Sequence, residues 1–88
     1  MTSPLTVTVV ASDREVWSGD ATMLVARTTE GELGILAGHE PFLGVLSTGE
    51  VRIHTADSGV ILVKADGGFL SVEHNTVTVV ASQAELVA

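Results

Sequence analysis

Turn-forming residues interrupt this chain about every 8–12 residues, and no stripe of helical period runs between them before the C-terminus. Leu5, Val7 and Val9 alternate with Thr6 and Thr8, which puts the apolar residues on one face of an extended segment. Arg14 to Ser18 is a second short strand candidate, reached through Ser12-Asp13. Ser18-Gly19-Asp20 breaks the run, and Ala21 to Thr28 resumes it. Thr48-Gly49 marks a turn, after which Val51 and Ile53 point inward while Glu50 and Arg52 point outward. Ala56-Asp57-Ser58-Gly59 is a hairpin signal leading into Val60 to Ala65, a β-branched run suited to a central strand. Asp66-Gly67-Gly68 and Glu73-His74-Asn75 bracket Phe69 to Val72, and Thr76 to Val80 follows. Short strands at this spacing predict an all-β, antiparallel sandwich or barrel.

Two local features qualify that pattern. Thr-Val-Thr-Val-Val-Ala-Ser occurs at Thr6–Ser12 and again at Thr76–Ser82. The halves share nothing else that would mark a duplication, so two strands in similar half-buried environments is the better reading. Gln83-Ala84-Glu85-Leu86 are good helix formers, so a short helical stub can begin at Ser82, although seven residues cannot hold a helix alone. With 88 residues, 45% of them hydrophobic, the chain supports one core and is too apolar for a disordered acidic tail. Its stability is expected on the order of 4–13 kcal/mol.

The segment Glu30 to Leu43 is the densest in functional signal. It combines three glycines, three carboxylates, His39 and Pro41 with Leu33, Ile35, Leu36, Phe42 and Leu43. Glycines allow unusual backbone angles and close approach of a second chain. The composition predicts a rigid, irregular segment, pinned to a core by its apolar residues and presenting acids outward as a contact surface.

Charge and residue content narrow the partners. The formal charge is −7, with Arg14, Arg27, Arg52 and Lys64 the only basic residues. Nucleic acid and anionic lipid would repel such a chain, whereas a basic protein surface would attract it. No apolar run approaches the roughly 18–20 residues of a membrane span, and the N-terminus lacks signal-peptide form, so the reading is cytosolic with no direct membrane insertion. Cysteine is absent, which removes disulfides, thiol nucleophiles and thiolate metal sites. His39, His54 and His74 lie near Glu32, Glu40 and Glu73 in sequence, yet no pair has a metal-ligand spacing. Glu30 and Glu32 do not make a glycosidase pair without a cleft, and Gly31-Glu32-Leu33-Gly34 lacks the lysine of a phosphate loop. No catalytic residue, metal or cofactor is expected. A protein-binding module is, with Glu30 and Glu32 as candidates to meet a cation and His39 as an interface residue.

Glu30 to Leu43 also resembles the signature of the epsilon subunit of F-type ATP synthases: glycine-glutamate-leucine-glycine-isoleucine, two variable residues, glycine-histidine, one residue, proline, then apolar. Val16-Trp17-Ser18-Gly19 resembles the family's second strand and turn. Gly49-Glu50-Val51-Arg52-Ile53 is similar to a later family segment, and Gly67 to Val72 followed by Asn75 to Val79 to its closing strands. The resemblance runs from Leu5 to about Ala84. It implies a ten-stranded flattened β-sandwich over residues 1–84, with residues 85–88 a stub where a helical hairpin normally begins. That hairpin inhibits ATP hydrolysis in many bacteria and binds ATP in some, and both properties are expected to be lost with it.

The role implied is a non-catalytic rotor subunit of the central stalk, coupling proton flow to ATP synthesis. It would bind the gamma subunit and the rotor-ring (c) subunits, on the cytoplasmic face of the bacterial cell membrane. Glu30, Gly31, Glu32, Leu33 and Gly34 would face the rotor ring, with Glu32 the acidic partner of a basic loop. His39, Glu40, Pro41 and Phe42 would lie at the gamma contact. Ala37 departs from the proline common in the family and leaves the loop less stiff. Removed from its partners, the domain is expected to expose an apolar patch and self-associate. The alternatives are an unrelated protein-binding β-sandwich adaptor and a small metal-dependent hydrolase.

Overall fold

The computed structural model describes residues 4–12, 14–38, 40–55 and 59–87, which form two five-stranded sheets packed as a β-sandwich. The strands are β1 (Leu5–Ala11), β2 (Arg14–Ala21), β3 (Met23–Thr28), β4 (Gly31–Leu36), β5 (Phe42–Val45), β6 (Gly49–His54), β7 (Val60–Asp66), β8 (Phe69–Glu73), β9 (Thr76–Ala81) and β10 (Gln83–Leu86). One sheet has the order β2-β1-β9-β8-β5 and the other β10-β7-β6-β3-β4. The described residues include no helix, and hence none long and apolar enough to cross a membrane.

Alternation decides which side chains form the core. Val7, Val9, Val77 and Val79 from one sheet meet Leu24, Ile53 and Val63 from the other, all fully buried. Val51 and Ile53 point inward as the pattern predicts, with Glu50 and Arg52 exposed. β6 and β7 form the expected hairpin, pairing His54 with Val60, although residues 56–58 of its turn lie outside the described residues. At Glu73-His74-Asn75 the two turn residues take φ of 50° and 63°, the backbone of a tight two-residue hairpin.

The repeated heptapeptide has a structural meaning. Its two copies run side by side as β1 and β9, paired parallel from Thr6↔Thr76 to Ala11↔Ala81. Every other ladder is antiparallel among the described strands. The two copies therefore alternate in step: Val7, Val9 and Ala11 with Val77, Val79 and Ala81 face the core, while the threonines share the outer face with Val10 and Val80.

Three sequence expectations change. Ser18-Gly19-Asp20 does not end β2, which continues to Ala21; the chain crosses to the second sheet at Thr22, whose N–H and hydroxyl both donate to the His54 carbonyl at 2.7 and 3.1 Å. The bare Gly19 is covered by Trp17, whose ring would lie 2.9 Å from an added Cβ. The C-terminal helical stub is instead β10, pairing Gln83 to Leu86 with Asp66 to Val63. The open edge of β7 supplies hydrogen-bond partners along a whole strand, which outweighs a helix preference over a few residues. Finally, most of Glu30 to Leu43 is not irregular. It contains β4 and the first two residues of β5, the edge strands of different sheets.

Candidate functional site

β4 explains how one segment can be both apolar and acidic. At a sheet edge, alternate residues face the core while the rest face solvent. Ile35 is fully buried and Leu33 packs against the core, whereas Glu32, Gly34 and Leu36 are exposed on the outer face. Their cross-strand partners on β3 are Arg27, Val25 and Met23. Two of the five apolar residues expected to pin the segment point outward instead, Leu36 and Leu43 being 58% and 72% exposed.

The turn before β4 holds Glu30 in place. Thr28 is a buried polar side chain, its hydroxyl donating to the Gly31 carbonyl at 2.9 Å and accepting the Glu30 N–H at 3.2 Å. Gly31 then takes φ of 120°, a conformation open to glycine and closed to most side chains. Thr29 N–H donates to Val45 O, and Ser47 N–H to Arg27 O, so the neighbouring connection braces the same turn.

The other candidate group follows β4. Glu40 and Pro41 are exposed, Phe42 opens β5 half-buried, and His39 lies outside the described residues. The Phe42 ring covers Gly44 as Trp17 covers Gly19, its Cε2 falling 2.6 Å from an added Cβ. This loop is anchored by Asn75, whose side-chain oxygen accepts the Gly38 N–H at 2.7 Å and whose carbonyl accepts the Thr6 N–H at 2.8 Å. Beside it Pro41, Phe42, Leu43, Ser71, Val72 and Glu73 line an open depression of about 340 Å³. Leu43, Val45 and Phe69 continue from it as exposed apolar surface on the outer face.

Glu30 and Gly31 thus stand at one end of β4 and Gly38 beyond the other, with Leu33 and Gly34 of the first group along the strand between. Glu30, Gly31 and Glu32 share one end of the sandwich with the Gly67-Gly68 crossing, and the loop at 37–41 shares the other with His74-Asn75. A six-residue strand at about 3.4 Å per residue puts roughly 20 Å between Glu30 and the chain beyond Leu36. Thr28 and Asn75, which position the two groups, were not foreseen. Thr28 stands out in no pattern, and Asn75 reads only as a turn residue at the start of a strand, its bond to Gly38 spanning 37 residues of sequence. His54 ends a strand and His74 occupies a turn; among the described residues no group of three or more His, Cys, Asp or Glu is placed to hold a metal. A larger groove, of about 620 Å³, is lined by none of these residues and sets Arg14 and Lys64 against Asp66 and Glu85.

Comparison with known proteins gives the arrangement a lineage. Residues 4–87 match the model of the ATP synthase delta/epsilon chain β-sandwich domain. The chain belongs to that family. It is 50% identical over 86 residues to the ATP synthase epsilon chain of Streptomyces coelicolor, covering 98% of this chain and 69% of that one. The epsilon chain of Frankia casuarinae is 50% identical over 84 residues, covering 94% of this chain and 98% of that one. A chain of the Euglena gracilis mitochondrial ATP synthase, solved in an assembly with its c-ring, superposes with a TM-score of 0.89 at 25% identity. That match covers 94% of this chain and 53% of the Euglena chain, so the epsilon-type sandwich spans about half of that solved relative. A chain from the Tetrahymena thermophila central stalk and c-ring shares the fold, with a TM-score of 0.74.

Proposed function

We propose that this epsilon-type sandwich is a non-catalytic linker of the rotor, joining the gamma subunit to the c-ring of a proton-translocating ATP synthase on the cytoplasmic side of a bacterial membrane. The observation that supports the reading is that Glu30 and Gly31 stand at one end of β4 and Gly38, held by Asn75, beyond the other, roughly 20 Å away. A domain that transmits rotation between two bodies needs two separate contact regions on a stiff frame, and the sandwich supplies both. In this reading Glu30, Gly31, Glu32, Leu33 and Gly34 meet the ring, with the exposed carboxylates of Glu30 and Glu32 opposite a basic loop. His39, Glu40, Pro41 and Phe42 meet gamma, whose apolar surface fills the depression beside Phe42 and covers Leu43 and Val45. Rim carboxylates act chiefly on association rate and register, and apolar burial supplies most of the affinity.

Calorimetric titration of the protein into purified gamma subunit tests this, repeated with His39→Ala and Glu32→Lys. Saturable one-to-one binding, weakened by His39→Ala and unaffected by Glu32→Lys, is the expected result. Absence of binding to a matched gamma subunit would sink the reading and favour an unrelated adaptor.

A further inference from the structure

The two copies of Thr-Val-Thr-Val-Val-Ala-Ser do more than repeat: within this fold they pair with each other. β1 and β9 run parallel, and six successive pairs set identical residues opposite, from Thr6 on Thr76 and Val7 on Val77 to Ala11 on Ala81. Their composition also sets them apart. Among the described strands of six residues or more, only β1 and β9 lack a charged residue. Five of the six paired residues in each are β-branched, and neither glycine nor proline interrupts them. Short segments of high β-propensity without charge or proline are those that stack in cross-β form, each residue over its own copy in the next chain.

We infer that residues 6–11 and 76–81 are the segments through which unfolded copies of this chain associate, stacking parallel and in register on the same segments of other copies. The β1–β9 ladder is one step of such a stack, made within a single molecule. It shows that threonine beside threonine on one face, with valine beside valine on the other, is a register this sequence holds. The folded protein keeps both segments out of reach, because β1 is bonded on its two sides by β2 and β9, and β9 by β1 and β8. The edge strand beside them, β2, carries exposed Arg14, Glu15 and Asp20, which discourage the addition of another chain. Unfolding frees two such segments per chain at once. One segment lets a chain join a stack; a second lets it bridge to another, so association does not stop at a dimer. The partner is therefore a second copy of this chain, and the inference is independent of the rotor reading.

The test follows association of the full chain with each variant held at its own urea midpoint, so that half of every sample is unfolded and differences in stability drop out. Light scattering gives the rate, and protease digestion of the pelleted material, read by mass spectrometry, gives the ordered core. Wild type is compared with Thr8→Lys/Thr78→Lys and with Thr8→Lys/Thr78→Glu. Thr8 and Thr78 are half-buried and face each other across the ladder on the outer face. Two added lysines bring the net charge from −7 nearer to zero, which on its own promotes association. Stacked through these segments they set like charges over one another in every layer, and the rate is expected to fall by about tenfold or more. Opposite charges alternate along a stack without that repulsion, so the lysine–glutamate variant is expected to associate faster than the double-lysine one. The protease-resistant core of the wild type is expected to contain residues 6–11 and 76–81. A double-lysine variant that associates as fast as wild type overturns the inference, as does a resistant core confined to other strands such as β7. Wild-type protein that stays dispersed at its midpoint overturns it too.

Discussion

At Gly68 the chain leaves β7 in one sheet for β8 in the other, with the β9 backbone immediately beneath it. Its φ is 108°, and an added Cβ would overlap the Val80 carbonyl and come within 2.7 Å of Ala81 Cα. These atoms belong to a strand flanked on both sides, so they cannot give way without disturbing β1 and β8. Gly68→Ala therefore combines backbone strain with overpacking and is expected to lose about 3 kcal/mol or more of stability. That is a large share of what an 88-residue domain has, and urea denaturation should show a much lower midpoint or no cooperative transition. The same methyl at Gly34 meets open space. Glycines thus divide by what surrounds them, and the sequence shows only that they are there.

At the scale of strands and hairpins, Thr28 is where the fold meets the candidate site. Thr28→Val keeps the shape and removes the hydroxyl that bonds Gly31 and Glu30. The loss is expected at about 1–2 kcal/mol, and amide exchange should quicken in β4 before it does in β9. Unchanged exchange in β4 would mean that the turn is held by the backbone bonds to Val45 and Arg27 instead. Elements whose two faces differ were legible beforehand. The alternation in Glu50 to His54 and the valine-threonine runs settled their inward faces, and the turn at His74-Asn75 announced itself by composition. Edges were not. Nothing in Gly31 to Leu36 marks a strand packed on one side only, and that position is what lets it carry glycines and a carboxylate. Gln83 to Leu86 misled for the converse reason: local preference pointed to a helix, while the unfilled edge of β7, about twenty residues earlier in the chain, took it as a strand. Of the candidate site, the residues were legible and their separation was not, because it depends on β4 being extended between Glu30 and the loop at 37–41.

For the whole molecule, the two proposed contact regions share a frame but no side chain. Trp17 and Phe42 close the glycine gaps in the two edge strands of one sheet, and Thr28 and Asn75 pin the opposite ends of β4. A frame of this kind transmits torque without transmitting local rearrangement, so perturbations at one end should not be felt at the other. Residues farther apart than about 7–10 Å, with no common partner, contribute additively to within about 0.3–0.5 kcal/mol. The double variant Glu32→Lys with His39→Ala is therefore expected to bind gamma as weakly as His39→Ala alone and the ring as weakly as Glu32→Lys alone. Titrating all four proteins against each partner closes the cycle. A coupling energy above about 1 kcal/mol in either cycle would mean that the ends communicate through the sandwich, and that the domain is a switch between its partners rather than a stiff link. Ionic strength gives a second check on the same separation. Under the proposed assignment, raising salt should weaken ring binding, where the exposed Glu30 and Glu32 would meet a cation, far more than gamma binding, where the exposed Leu43 and Val45 would be buried. Equal salt sensitivity at both ends would place the acids of β4 in neither interface and undo the assignment of the two faces.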